Sequence, residues 1–149
     1  MLPASMYDRI LVPTDGGDAS PKVFAHAADI AARRDATVHV LYVVDDRAFL
    51  TLDDAMQSEA VEQLRAEGRG ALSDAKQTFE SEGVTVETEL RRGNPGEEIL
   101  AYAADADADL VVMGTRRGDF ENSMLGSVSR EVVASADVPV LTVSLTDDE

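Results

Sequence analysis

The sequence predicts an open, doubly wound α/β fold: five parallel strands in the order 3-2-1-4-5, with helices on both faces. Three observations predict it. Short apolar runs alternate strictly with longer stretches of helical periodicity, giving β-α-β-α-β-α-β-α-β, and such alternation implies a parallel sheet. The second and fourth runs are apolar on both faces, as interior strands require, while the third alternates and the fifth contains a proline, as edges allow. Glycine, proline and capping residues punctuate the junctions.

The elements follow in order. "RILVPT" (9–14) is a buried strand stopped by the loop Pro13-Thr14-Asp15-Gly16-Gly17. Ser20 is read as an N-cap with Pro21 at the first helical position, and Val23, Phe24, Ala27, Ile30 and Ala31 recur behind it at helical spacing. "ATVHVLYVVD" (36–45) is a β-branched central strand. After a loop over 46–52, Asp53 opens a long helix to Glu82, with Val61, Leu64, Leu72, Ala75 and Phe79 on its apolar face. Gly68 and Gly70 inside it each cost about 1 kcal/mol relative to alanine and predict a bend.

Gly83 ends that helix, and "VTVETEL" (84–90) alternates as an edge strand. "GNPGEEILAYAADAD" (93–107) carries a capping box: Asn94 caps, Pro95 takes the first position and Glu97 follows three residues on. "ADLVVMG" is the fourth strand, and Gly126-Ser127 opens the last helix, with Ser127 as its N-cap and Val128, Val132, Val133 and Ala136 on its apolar face. "VPVLTVSL" (138–145) is the fifth strand. Residues 1–149 form one domain, frayed over 1–7 and 145–149.

Composition excludes several functions. Hydrophobic residues make up 44% and aromatic residues only 5%, so the core is aliphatic. With no cysteine there is no disulfide, thiol nucleophile or thiolate metal site. The 29 acidic against 13 basic residues leave a net charge of −16, which repels nucleic acid and anionic membranes and fits a salty cytoplasm. No signal peptide or membrane span is legible, so a cytoplasmic location is expected. His26 and His39 lack a repeated ligand spacing and are assigned no metal.

The order 3-2-1-4-5 puts the topological switch between the first and fourth strands, where ligands bind at the carboxyl ends, here Pro13-Thr14-Asp15 and Met113-Gly114. The pieces "ILVPTDGG", "VHVLYVVD", "GNPGEEIL", "ADLVVMGTRRG", "MLGSVSREVV" and "VPVLTV", in this order, resemble the universal stress protein family over nearly the whole chain. That resemblance implies adenine-nucleotide binding, with Thr14 and Asp15 beside the adenosine and the backbone of Val43 holding the adenine, and Pro13 at the same strand end is counted with the site. It further implies that Gly114, Gly126, Ser127 and Val128 take the ribose and phosphates, with ATP and Mg²⁺ or Mn²⁺ as the bound species, and Met113 at the end of the fourth strand is counted with them in the site. Pairing of two copies through 138–145 is implied as well.

The phosphate loop departs from the family pattern of Gly-x-x-Gly, nine residues, then Gly-Ser/Thr. Arg117 stands where the second glycine belongs, Gly118 comes one place late, and the loop is one residue shorter overall. Two readings stay open. Either Gly118 preserves the anion nest and Arg116 and Arg117 add bidentate contacts to the phosphates, or the chain is a nucleotide-free dimeric interaction scaffold. Enzymatic readings fail on the residues. "TDGGDAS" has Asp15 in place of the serine of a pyrophosphatase loop, and no lysine follows Lys76 to complete a phosphoacceptor site. Little or no intrinsic catalysis is expected, and the stress or client served is not encoded legibly.

Overall fold

The computed structural model describes residues 6–17, 20–115 and 124–145, except for the side chains of 124–127. Strands β1 (Arg9–Pro13), β2 (Thr37–Val44), β3 (Thr85–Arg92), β4 (Leu110–Thr115) and β5 (Val140–Ser144) alternate with helices α1 (Ser20–Arg34), α2 (Asp54–Ser81), α3 (Pro95–Asp105) and α4 (Met124–Ser135). A 3₁₀ turn, Arg47–Phe49, follows β2. The sheet order is β3-β2-β1-β4-β5 and every pairing is parallel, as the sequence predicts.

Side chains alternate across the sheet, so β1, β2 and β4 each feed two cores. Ile10, Val12, Val38, Val40 and Val112 meet Val23, Phe24, Leu72, Ala75 and Phe79 on one face. Leu11, Leu41, Val111 and Met113 meet Ile99, Val128 and Val132 on the other. The start signals act as expected on two helices. Asp53 accepts from the Met56 N–H at 2.9 Å, and Asn94 accepts from the Glu97 N–H at 3.3 Å. Gly83 leaves α2 with φ +76°, a conformation costly for other residues. Among the described residues no helix is long and apolar enough to cross a membrane.

Four local expectations are corrected. Helix α4 starts at Met124, so Ser127 is its fourth residue and not its N-cap. Met124 and Leu125 favour the helix and one glycine does not stop it, so Gly126 falls in the first turn, where N–H groups lack intrahelical partners. Ser20 is the first residue of α1, and its hydroxyl is hydrogen-bonded to that of Thr14 at 3.1 Å. Pro139 stands just outside β5, where only its carbonyl is used, accepting from Val111 N–H at 3.0 Å. The ends are tied in further than expected. Tyr7 lies under the Arg34 guanidinium at 5.8 Å, and buried Leu145 donates its N–H to Thr115 at 2.8 Å. Residues 1–5 and 146–149 lie outside the described residues.

Buried His39 points to the α3 side, where its Nδ1 is 3.3 Å from the Tyr102 hydroxyl. Burial lowers its pKa from the ordinary 6.5, opposed by Glu87 and reinforced by Arg9. The unfolded chain therefore binds the proton more readily, and the His39 contribution to stability is complete above pH 6.5 and falls as pH drops below it. Urea midpoints for wild type and His39→Gln should converge between pH 7.5 and 5. A constant gap would remove His39 from the acid response.

Candidate functional site

The first strand ends abruptly, and the site follows from how it ends. Beyond Pro13 the chain turns at Thr14, whose N–H still donates to the Leu41 carbonyl at 2.9 Å. Thr14 Oγ1 then takes the Gly16 N–H at 3.1 Å, and Asp15 Oδ1 takes the Gly17 N–H at 2.8 Å. These are side-chain-closed turns, and Gly16 adopts φ +77° between them. Strand β2 runs on without its neighbour.

That mismatch exposes a donor and an acceptor. Leu41 presents its carbonyl to β1, so the alternation of a parallel ladder turns Val43 the same way. Val44 turns the other way and accepts from Gly93 N–H at 2.9 Å. Among the described residues no hydrogen bond uses the Val43 N–H or C=O on the β1 side. Two main-chain groups therefore face a cleft in fixed β geometry.

The cleft encloses about 260 Å³ at the carboxyl ends of β1, β2 and β4, at the switch point. Leu41, Met113, Ile99 and Val128 form an apolar floor; Tyr42, Val44, Leu64 and Pro95 wall it; Thr14, Asp15 and Asp45 supply its polar rim. Tyr42 fits because α2 carries Gly68 opposite it. Burial raises the Tyr42 pKa, with Glu67 and Asp15 adding to the rise, so the phenol stays protonated at neutral pH.

Asp45 is the first residue after β2. Its Oδ1 accepts from Arg47 N–H at 3.1 Å and from Arg47 Nε at 2.9 Å, while Oδ2 accepts from Nη2 at 2.8 Å. These Arg47 bonds hold the Asp45 carboxyl below its ordinary range. Next to it Asp46 pairs with Arg92 of β3 at 2.6 Å, which fixes the outer lip. Helix α3 enters from the far side, capped by Asn94 with Pro95 in its first turn. The Glu131 carboxylate of α4 lies over Gly96 in the first turn of α3.

Of the residues singled out from sequence, Pro13, Thr14, Asp15, Val43, Met113 and Val128 are brought together in this cleft. Gly114 is not among the lining residues. It packs inward, where a Cβ would stand 2.6 Å from Leu145 Cδ1 and 3.1 Å from Val23 Cγ2. Gly126 and Ser127 sit in the first turn of α4, and Arg116, Arg117 and Gly118 lie outside the described residues. Sequence reasoning missed Asp45, Leu64, Pro95 and Ile99 as lining residues. The available signals were Asp45 at the strand end, with Arg47 two places on, and a helix N-terminus at Pro95 aimed at the switch point. No Lys or Arg lines the cleft among the described residues.

Comparison with known proteins gives a consistent picture. The sequence profile of the Universal stress protein family matches residues 6–144. Universal stress protein MJ0531 of Methanocaldococcus jannaschii is 40% identical over 141 residues, covering 93% of this chain and 83% of that protein. The structure of universal stress protein UspA from Lactobacillus plantarum superimposes with a TM-score of 0.81 at 33% identity, over 92% of this chain and 97% of the other. A universal stress protein from Archaeoglobus fulgidus, solved in complex with dAMP, superimposes with a TM-score of 0.67 at 25% identity, over 92% and 98% of the two chains.

Proposed function

Because the chain belongs to the universal stress protein family, we propose that it is a regulatory protein of the stress response that binds ATP in the switch-point cleft, with little or no catalysis of its own. The observation that carries this reading is the open N–H and C=O of Val43 above an apolar floor. Adenine presents an acceptor at N1 beside a donor at its 6-amino group, which is the complement of that pair. The dAMP complex of the Archaeoglobus protein supports an adenine ligand. Thr14 and Asp15 would flank the adenosine, and the segment carrying Arg116, Arg117, Gly118, Gly126 and Ser127, with Gly114 packed at its start, would meet the phosphates. Mg²⁺ or Mn²⁺ is proposed to arrive with the triphosphate. Among the described residues no group of three or more His, Cys, Asp or Glu side chains could hold a metal ion.

Titration calorimetry with ATP and ITP tests the proposal. Hypoxanthine reverses the pattern, offering N1–H and a 6-keto oxygen, so both main-chain bonds are lost. ITP should bind at least about tenfold more weakly, or 1.4 kcal/mol. Equal affinities would refute recognition by Val43, and no binding of either nucleotide would leave the interaction scaffold.

We further propose a homodimer through β5. This edge strand leaves Leu141 37% exposed and Thr142 exposed beside it, a surface that a second copy would cover. Light scattering should report twice the chain mass, and Val140→Glu should lower it. A wild-type monomer at micromolar concentration would end this proposal.

A further inference from the structure

We propose that Asp45 reads the sugar: its carboxylate accepts a hydrogen bond from a ribose hydroxyl, so the cleft takes ribonucleotides in preference to their deoxy counterparts. The inference rests on the nucleotide reading above and deepens it. A base held at Val43 in the apolar interior leaves its sugar at the rim, because the phosphates belong outside with the α4 turn. At the rim the described polar side chains are Thr14, Asp15 and Asp45. Thr14 Oγ1 is already engaged by Ser20 and by Gly16 N–H, and Asp15 Oδ1 by Gly17 N–H, bonds that close the loop after β1 and leave Asp15 as the rival acceptor that the Asp15→Asn variant separates. Asp45 is engaged differently: among the described residues, every bond it accepts comes from Arg47, and all three serve to fix it.

An ionised carboxylate offers about four lone-pair sites and no donor. Arg47 occupies three of them, two on Oδ1 and one on Oδ2, so one site on Oδ2 remains for a ligand. The side chain is 22% exposed, at the boundary of the cleft and not free in solvent. A pure acceptor in that place rejects phosphate oxygens and gains nothing from apolar ring edges. One N–H of the adenine amino group is matched to the Val43 carbonyl and the other stays on the N7 edge of the base, so the donors a nucleotide brings to the rim are its sugar hydroxyls. Arg47 also offsets the carboxylate charge, which reduces its repulsion of a nearby triphosphate. Ionisation below the ordinary range keeps Asp45 an acceptor throughout neutral pH.

The experiment is calorimetry with ATP, 2′-deoxyATP and 3′-deoxyATP on wild type, Asp45→Asn and Asp15→Asn, with melting temperatures recorded for each. Wild type should bind one deoxy analogue about ten- to a hundredfold more weakly than ATP, the range expected for a hydrogen bond to a charged group. Asp45→Asn should lower ATP to the level of that analogue and leave the analogue itself within about twofold. Equal binding of all three by wild type would overturn the sugar reading while leaving nucleotide binding intact. So would an Asp45→Asn variant that weakens all three alike, or discrimination lost only in Asp15→Asn. Absence of binding by wild type would overturn both readings together.

Discussion

Replacing Phe79 with alanine is expected to destabilise the chain by about 3–5 kcal/mol. Phe79 is fully buried on α2, facing the sheet, and its ring meets Phe24 of α1 with centroids 5.2 Å apart. In a chain with only 5% aromatic residues, these two rings join helices that are otherwise held by valine, leucine and alanine. The cluster around Phe79 includes Ala27, Ala28, Ala31 and Ala75, short side chains that cannot extend to fill a void. Urea unfolding followed by circular dichroism measures the loss, and a domain of this size should melt roughly 10 °C lower or more. A loss below about 1 kcal/mol would mean that the α1–α2 layer repacks freely.

Two glycines in α2 should respond to alanine with opposite signs. A methyl group at Gly70 would meet nothing within 4 Å, so Gly70→Ala should gain about 1 kcal/mol of helix propensity. At Gly68 the same methyl would stand 2.6 Å from Tyr42 Cδ1 and 2.8 Å from Leu90 Cδ1. The Tyr42 ring is buried and cannot step aside, so overpacking of about 1–3 kcal/mol offsets the propensity gain. Tyr42 also walls the cleft, so Gly68→Ala should weaken ATP where Gly70→Ala does not. Thermal melts and calorimetry on the two variants decide it. Stabilisation by both would show that the helix can lift away from the sheet at no cost.

The sheet order was legible because it depends on which strands are apolar on both faces, a property written in consecutive residues. Boundaries were less so. Helix α4 begins three residues before Ser127 because the burial of Val128 and Val132 anchors a helix that can extend back through Met124. Strand β3 reaches Arg92 because charged residues stay in register opposite Val43 and Val44 and are held by ion pairs with Asp105 and Asp46. The glycines of α2 read as a bend, and only the packing showed that one of them makes room for a ring. Pro13, Thr14, Asp15 and Met113 were identifiable from strand ends, and Val43 and Val128 from the family resemblance. Asp45 and Leu64 were not, since their place depends on which long-range elements converge, and a strand-end carboxylate in so acidic a chain looks like solvated surface.

The early turn at Thr14 has a consequence for how such a site changes over generations. The pair it uncovers on Val43 belongs to the main chain, so any residue except proline at that position would present the same donor and acceptor. Mutation at position 43 can therefore alter the fit of the wall while leaving the hydrogen-bonding pattern in place. Selectivity for the base would be inherited with the strand register itself, and drift would act on the side chains of the rim.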